Sequence, residues 1–324
     1  MSMKVLVTGG LGFIGSHFVE QQLQLGNEIV IVDKLTYAGS LRNITVGKVP
    51  SPRIIILDIA DTARVQKELN DFDYFHWIVN FAAESHVDRS ISSGVVFFES
   101  NTRGVVNLLD YCRKNKGTKF LQVSTDEVYG SISSGFWTED SPIDPRSPYS
   151  ASKASAELIC NAYRNTYGID VTITRCANNF GPRQAIEKLI PVAIDSLLLG
   201  STVKIYGDGT NRREWISVYD HVNAISKLIS AKTLNFTTYN IGGVELSNIE
   251  IVTKLATLMD IPIKIEFIAD RLGHDFRYAM NDSRIRGELD LKISTEIDIS
   301  LKNTIDWYLL NSDWMKESKE KILS

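Results

Sequence analysis

A tyrosine and a lysine lie four residues apart in the run from Ser147 to Lys153. At this spacing the lysine can assist the tyrosine in removing a proton from an alcohol. Ser147 suits a helix N-cap and Pro148 the first helical position, so a helix is predicted to begin here. Tyr149 and Lys153 then share one helix face. The ammonium and the helix N-terminus both favour a phenolate, which makes Tyr149 a candidate base. A surface pair with the same spacing is the alternative.

Two adjacent carboxyl groups, Asp126 and Glu127, follow an apolar run that ends at Ser124. Reacting groups in open α/β sheets lie at the carboxyl ends of strands. Two carboxyls in one cleft are driven to different pKa values, so one can donate a proton while the other removes one. The alternative is that the pair opens a helix, but the Val-Tyr-Gly that follows does not continue a helical pattern.

Three glycines, Gly9, Gly12 and Gly15, join an apolar strand to a helical pattern. This arrangement allows a tight turn, close approach of a pyrophosphate and close helix–strand packing, and the helix N-terminus attracts phosphates. Asp33 ends the next strand and is expected to bind the adenosine ribose hydroxyls. Because an acid there repels a 2′-phosphate, NAD is favoured over NADP. A structural glycine turn is the alternative.

Two further positions bear on the cofactor. Lys34, beside Asp33, slightly weakens the preference for NAD. Asp58 and Ile59 follow the third predicted strand and are candidates to contact adenine, and an ordinary loop acid is an equal alternative.

Apolar runs alternate with helical patterns through about residue 175. The strands and helices that they predict position the candidate catalytic and cofactor-binding residues. The predicted strands are Lys4–Thr8, Glu28–Val32, Ile54–Leu57, Trp77–Phe81 and Phe120–Ser124. The predicted helices are Ile14–Leu25, Thr62–Asn70, Val95–Lys116 and Tyr149–Tyr167. Continuously apolar strands indicate a parallel sheet buried on both faces, so the fold class is α/β, a Rossmann-type doubly wound sheet.

The pattern loosens after Thr174, where a smaller lobe is expected to cover the carboxyl edge of the sheet. Helices are predicted at Glu187–Leu199, Tyr219–Ala231, Asn248–Met259 and Ser300–Leu310. The expected division is residues 1–175 for the NAD-binding domain and 176–324 mainly for the substrate-binding lobe, with some chain crossing back.

The composition of the chain argues against several classes of protein. The chain has 324 residues, 44% of them hydrophobic, and a formal net charge of -4, so nucleic acid is not an expected partner. The start is interpreted as a strand entering a loop, not a signal peptide, and apolar runs are too short to span a membrane. Three cysteines without a framework favour a reducing, cytoplasmic setting, and no metal site is expected because no His or Cys lies at ligand spacing from His86.

These motifs resemble the extended short-chain dehydrogenase/reductase superfamily. Four segments resemble the dTDP-glucose 4,6-dehydratase family more narrowly, over nearly the whole chain. They are residues 80–90 (NFAAESHVDRS), the Thr125–Glu127 triplet, residues 178–182 with 187–191 (NNFGP, EKLIP), and residues 271–275 (RLGHD). The triplet is the most specific of them, because related epimerases and decarboxylases usually lack the Asp-Glu pair.

The resemblance implies a reaction on a nucleotide-diphosphate sugar with a tightly bound, recycled NAD. Tyr149 would take the C4 hydroxyl proton while hydride leaves C4, and Thr125 would hydrogen-bond the C4 oxygen. Glu127 would remove the acidified C5 proton while Asp126 protonates the departing C6 hydroxyl. Hydride would return to C6. The residues supply one base and one acid–base pair, as this chemistry requires.

The expected binding residues come from the motifs and from the resemblance together. Those expected to bind NAD are Gly9, Gly12, Phe13, Ile14, Gly15, Asp33, Lys34, Leu35, Thr36, Asp58, Ile59, Ala82, Ala83, Ser85, Ser100, Ser124, Tyr149, Lys153 and Asn179. Those expected to bind substrate are Ser85, Thr125, Asn178, Lys188, Leu189, Lys204, Tyr206, Arg213, Asn248, Arg271 and His274. The fork of Arg213 suits a diphosphate, with a surface charge as the alternative. Lys188 could reach phosphate or base, with a solvated lysine as the alternative, and His274 is expected to hydrogen-bond rather than catalyse.

The chain departs from the family at three places. An aromatic-rich segment with a proline is replaced by Arg183–Ile186, threonine by Ser100, and aspartate by Glu214. The first departure lies beside the expected nucleotide pocket and leaves thymine or uracil open. UDP-glucose is therefore the alternative substrate, followed by 4-epimerase or decarboxylase activity and by a non-catalytic NAD-binding protein.

A homodimer is expected from two helices with more apolar surface than one face needs, Val95–Lys116 and Tyr149–Tyr167. The resemblance implies that they pair into a four-helix interface. Packing of both helices on their own sheet is the alternative.

Overall fold

Parallel strands form the central sheet of the protein. The computed structural model describes residues 2–44, 51–270, 273–293 and 296–323. The strands are β1 (Lys4–Thr8), β2 (Glu28–Asp33), β3 (Arg53–Ile56), β4 (Trp77–Asn80), β5 (Lys119–Thr125), β6 (Val171–Cys176), β7 (Asn178–Phe180), β8 (Val203–Tyr206), β9 (Arg212–Ser217), β10 (Thr238–Ile241), β11 (Val244–Ser247) and β12 (Ile265–Ile268). The central sheet has the order β10-β6-β5-β4-β1-β2-β3, with every neighbouring pair parallel. The predicted Rossmann-type fold is confirmed.

Helices cover both faces of this sheet. They are α1 (Phe13–Gln24), α2 (Thr62–Leu69), α3 (Val87–Ser92), α4 (Val95–Phe98), α5 (Gly104–Lys114), α6 (Pro148–Tyr167), α7 (Leu189–Leu198), α8 (Val218–Ser230), α9 (Asn248–Met259), α10 (Ser283–Leu289), α11 (Ile297–Leu310) and α12 (Ser312–Leu323). Along β1, Val5 and Val7 enter the hydrophobic core on one face and Leu6 the core on the other. Burial on both faces explains why the strand is continuously apolar. Within the described ranges, no helix is both long enough and apolar enough to cross a membrane.

The helix predicted over Val95–Lys116 is interrupted. A π-helical segment, Glu99–Arg103, lies between α4 and α5. It carries Ser100 into the cleft described below. Such π segments occur often at functional sites. The chain is helical from Val95 to Lys114, so the prediction of a helix here is confirmed, and the π segment within it was not predicted.

The chain beyond β6 builds a second lobe and also returns to the first. One small sheet has the order β11-β9-β7 and another pairs β12 with β8. A separate core, which includes Phe180, Ile194 and Leu255, holds this lobe together. However, β10 is the edge strand of the central sheet beside β6, and α8 packs on α1 through a hydrogen bond from Gln22 Nε2 to Ser226 Oγ of 2.9 Å. The division at residue 175 stays a prediction.

The last helix, α12, joins the two lobes, and the sequence patterns had not predicted it. Trp314 Nε1 donates to Asn43 Oδ1 at 2.9 Å, and the Asn43 amide donates to the Leu11 carbonyl at 2.8 Å. On the other lobe, Lys319 Nζ lies 2.7 Å from the Asp195 carboxylate. The helix therefore connects the loop after β2 with α7.

Candidate active site

The glycine-rich turn between β1 and α1 leaves no room for side chains. Gly9 has a φ of 68°, and a Cβ there would lie 2.6 Å from the Ala82 nitrogen. A Cβ on Gly15 would overlap the carbonyl oxygen of Gly9. Gly12 is the N-cap of α1 and offers no side chain to the first N–H groups of the helix, which are directed at the cleft. The turn has the shape and polarity of a pyrophosphate site, so the residues present fit a dinucleotide.

Asp33 closes the same region from the end of β2. Its carboxylate accepts hydrogen bonds from Leu11 N at 3.0 Å and Leu35 N at 2.8 Å. Burial raises the pKa of Asp33, and these two bonds oppose the shift. Lys34 turns towards Asp58, 3.1 Å away. The predicted ribose-binding carboxylate therefore has a fixed orientation.

One cleft of about 300 Å³ collects most of the predicted residues. Every predicted NAD-binding residue lines it except Leu35, whose backbone binds Asp33 while its side chain packs on the core. The sequence reasoning missed several lining residues, namely Val32, Ala38, Gly39, Leu57, Phe81, Val123, Cys176, Ala177, Gln184 and Ala185. Many of these lie at the carboxyl ends of strands, and that position alone was a usable signal.

The candidate base lies in the first turn of α6. Ser147 caps the helix, with a reciprocal bond to Ser150, and Pro148 is its first residue, as predicted. Lys153 Nζ donates to the Val123 carbonyl at 2.6 Å, which ties the helix to β5. Burial lowers the pKa of Lys153 to about 8.

The protonation state of Tyr149 differs from the expected one, in which the phenolate was favoured. Burial raises its pKa well above the ordinary value, and the negative charge of Glu127 adds to the rise, while a hydrogen bond with Thr125 opposes it. The phenol is therefore neutral at rest, and the ammonium of Lys153 is directed at the Val123 carbonyl.

The acid–base pair begins a single 3₁₀ turn at the end of β5, Asp126–Tyr129, and Gly130 ends it with a φ of 74°. The pair therefore does open a helical turn, against the expectation, but only one turn, since the chain enters a left-handed conformation at Gly130. Thr125 is its N-cap, accepting from Glu127 N at 3.3 Å. All three residues line the cleft with Tyr149.

Asp126 and Glu127 lie in different environments. Asp126 is 2% exposed, and burial, followed by the charges of Glu127 and Glu214, raises its pKa well above the ordinary value. Its Oδ2 has no hydrogen-bond partner among the residues that the structure describes, and its Oδ1 lies 3.1 Å from Thr125 Oγ1. Glu127 is half-buried in the same cleft. Burial therefore favours the protonated form of Asp126, the form that a general acid needs.

The predicted substrate residues divide into two groups. Ser85, Thr125, Asn178 and Lys188 line the cleft, and Lys188 Nζ donates to the Ser85 carbonyl at 3.0 Å. The others lie outside its lining, namely Leu189 at the start of α7, Lys204 and Tyr206 on β8, Arg213 on β9, Asn248 at the start of α9, and His274. Arg271 lies outside the described residues.

Arg213 is the clearest departure from the simple expectation. Its side chain is buried, with Nη1 donating to the carbonyls of Arg212 and Phe276 and Nη2 to that of Asp275. Its guanidinium lies 4.4 Å from the ring centre of Tyr278. These contacts hold Arg213 inside the lobe, and its role towards a diphosphate stays a prediction.

The chain is similar to known proteins over nearly its whole length. The family model described as GDP-mannose 4,6 dehydratase matches residues 6–304. A dTDP-glucose 4,6-dehydratase of Actinoplanes is 41% identical over 96% of this chain and 99% of its own. A low-salt glycan biosynthesis protein of Haloferax volcanii is 45% identical over 95% of this chain and 99% of its own. The crystal structure of a dTDP-glucose 4,6-dehydratase of Streptomyces venezuelae with NAD bound has a TM-score of 0.90 and 44% identity, covering 96% of this chain and 98% of that one. This chain therefore belongs to the GDP-mannose 4,6 dehydratase family of the extended short-chain dehydrogenase/reductase superfamily.

Proposed function

We propose that this protein is an NAD-dependent dehydratase that converts dTDP-glucose to dTDP-4-keto-6-deoxyglucose and water. The observation that carries the proposal is the pairing of a buried Asp126, whose pKa burial raises well above its ordinary value, with the more accessible Glu127, in one cleft with Tyr149. A 4-epimerase or a decarboxylase has no step that needs such a pair. A pure NAD-binding protein needs neither the pair nor Tyr149 with Lys153.

The residues divide the chemistry between them. Bound NAD would accept a hydride from C4 of the sugar and return it to C6, and its positive nicotinamide would favour the Tyr149 phenolate. Tyr149 takes the C4 hydroxyl proton, with Thr125 hydrogen-bonded to that oxygen. The resulting 4-keto group acidifies C5, where Glu127 removes the proton while Asp126 protonates the departing C6 hydroxyl. Glu127 then returns a proton to C5.

The binding roles follow from the same cleft. The turn at Gly9, Gly12 and Gly15 holds the pyrophosphate of NAD, Asp33 holds the adenosine ribose, and Lys188 approaches the substrate diphosphate or base. Lys153 fixes the first turn of α6 through Val123 and so holds Tyr149 in place.

The test is to incubate the purified protein separately with dTDP-glucose and UDP-glucose, without added NAD, and to measure product masses. Loss of one water from dTDP-glucose, abolished in Asp126→Asn, is the expected result. An isomer of unchanged mass would indicate an epimerase. No product from either sugar, even with NAD added, would contradict the proposal.

UDP-glucose is the second candidate because of the segment Arg183–Ile186. Its Gln184 and Ala185 line the cleft, whereas Arg183 turns away to His17, 2.8 Å distant, and to Glu20. The resemblance implies an aromatic-rich segment here, whereas this chain presents an amide and a methyl group to the cleft. A larger rate with UDP-glucose in the same assay would establish this alternative.

We also propose a homodimer, assembled through α4, α5 and α6 as a four-helix interface. Three apolar side chains support it by their exposure on this face: Val95 at 72%, Leu158 at 60% and Val96 at 46%. Leu158→Asp is expected to give a monomer by light scattering, while Leu310→Asp, at an exposed apolar residue on α11, leaves the mass unchanged. A monomeric parent protein would contradict this arrangement.

We place the reaction in the cytoplasm and the lobe boundary near residue 175. Cys112, Cys160 and Cys176 are free and buried, which fits a reducing compartment. The boundary follows the end of β6, after which the chain enters the smaller sheet.

A further inference from the structure

A buried ion pair connects the two catalytic elements from behind the cleft. Arg175 lies on β6 beside Ser124 of β5, and Glu157 lies on α6, four residues after Lys153 and eight after Tyr149. Residues at this spacing share a helix face. Arg175 Nε lies 3.0 Å from Glu157 Oε2, and Nη2 lies 2.7 Å from the same oxygen. The side chains are only 8% and 1% exposed.

The remaining nitrogen of Arg175 reaches the acid–base turn. Arg175 Nη1 donates to Tyr129 Oη at 2.6 Å, and Tyr129 is the last residue of the 3₁₀ turn that begins with Asp126. The guanidinium also lies 4.6 Å from the centre of the Tyr129 ring. The turn that carries Asp126 and Glu127 is thus tied at its far end to the helix that carries Tyr149.

Tyr129 is fixed from its other side as well. Its hydroxyl donates to Asn240 Oδ1 at 2.7 Å, and the Asn240 amide is itself oriented by the carbonyls of Asn281 and Trp137. Its ring stacks on Trp137, which donates to the Gly130 carbonyl at 3.2 Å. Burial raises the pKa of Tyr129 to about 12, so the phenol keeps its proton and donates it to Asn240.

None of these groups lines the cleft, so they act on it through the elements that carry Asp126 and Tyr149. A buried ion pair is weak evidence for stability, because desolvation offsets much of the attraction. The three nitrogens of Arg175 instead bind Glu157 on α6 and Tyr129 of the 3₁₀ turn, and so fix the distance between the helix and the turn. That distance matters in a reaction where one group acts at C4 and two others act at C5 and C6 of the same ring.

We propose that Arg175, Glu157 and Tyr129 are positioning residues that hold the Asp126–Glu127 turn at a fixed position relative to Tyr149. This position keeps the elimination of water at C5 and C6 as fast as the oxidation at C4. The inference rests on the proposed dehydratase function. Thr125 and Tyr149 are anchored independently, by the end of β5 and by the helix cap. Loosening the far end of the turn therefore slows proton transfer at C5 and C6 more than oxidation at C4.

The test is Tyr129→Phe in the full-length protein, which removes one hydroxyl from the network and keeps the ring. We expect kcat to fall by about 10- to 100-fold, the cost of a displaced catalytic group. In the steady state, the fraction of enzyme-bound cofactor that absorbs as NADH should rise above that of the parent protein. The isotope effect with C5-deuterated substrate should also increase.

Tyr239→Phe is the matched control, since Tyr239 is a fully buried tyrosine whose hydroxyl donates to Glu288 at 2.8 Å. It should lose stability as Tyr129→Phe does, without a change in the NADH fraction or the isotope effect. The inference is overturned if the two variants behave alike, or if Tyr129→Phe loses kcat with both signatures unchanged. A parent protein that forms no product would count instead against the proposed function.

Discussion

Backbone forms the cofactor end of the cleft, whereas buried side chains form its reacting end. At Gly9 and Gly15 any Cβ meets main-chain atoms, and the groups offered to a ligand are N–H groups at the start of α1. At Asp126 and Tyr149, burial and neighbouring charges decide which groups hold protons. The first end should thus be sensitive to added volume, and the second to changes of charge at constant volume.

The largest expected effect is at the reacting end. Glu127→Gln keeps the shape of the side chain and removes the base for C5, so kcat should fall by a factor on the order of 10²–10⁴. The protein should remain folded and should accumulate the NADH signal with substrate. Glu266→Gln, at an exposed residue of β12, should leave both unchanged. Full activity in Glu127→Gln would remove the carboxyl pair from the mechanism.

Adding one methyl group should break the cofactor end. Gly15→Ala would force the turn apart at the Gly9 carbonyl, with a loss of about 1–3 kcal/mol in the free energy of unfolding and a loss of retained NAD. The NAD released on denaturing the purified protein measures the second effect. Gly287→Ala, where a Cβ meets nothing within 4 Å, is the control. Retention of NAD in Gly15→Ala would mean that the turn is not the pyrophosphate site.

Acid should destabilise the protein through two histidines near the cofactor end. Burial and the charge of Arg183 lower the pKa of His17 to about 4, and burial lowers that of His221, which binds Asn179, to about 3. Below the ordinary histidine pKa the unfolded chain binds protons that the folded chain does not. Stability should therefore fall as pH falls from about 6.5 towards 4, by up to about 1.4 kcal/mol per pH unit for each group.

Urea unfolding of the parent and of His221→Gln, at about pH 7, 6 and 5, measures this dependence. The variant should show a shallower loss of stability towards acid. Parallel curves would mean that His221 binds protons equally in the folded and the unfolded chain, which would contradict the lowered pKa.

The smallest expected effect tests whether the helix cap serves catalysis. Ser147→Ala should cost about 1 kcal/mol and reduce kcat, because Tyr149 lies in the first turn of α6. Ser247 caps α9 through the same reciprocal arrangement with Glu250. Ser247→Ala should lose similar stability with kcat intact, and an equal loss of kcat in both variants would show that the cap of α6 has no special role.

Sequence reasoning succeeded where one short segment contains all the interacting groups. The glycine turn and the cap at Ser147 each depend on neighbours within about seven residues, so residue type and spacing suffice to predict them. It failed where the partners are distant. Two of the three carbonyls that hold Arg213 come from residues more than sixty positions away, and the apolar pattern did not single out the π segment Glu99–Arg103.

The late return of β10 to the central sheet has a consequence for synthesis. About sixty residues separate β6 from the strand that covers its edge, so the nascent chain presents an almost complete sheet with the β6 edge still open. Such an edge pairs readily with other chains. A fragment ending after residue 175 would therefore be expected to aggregate, and the edge is covered only when Thr238–Ile241 emerges.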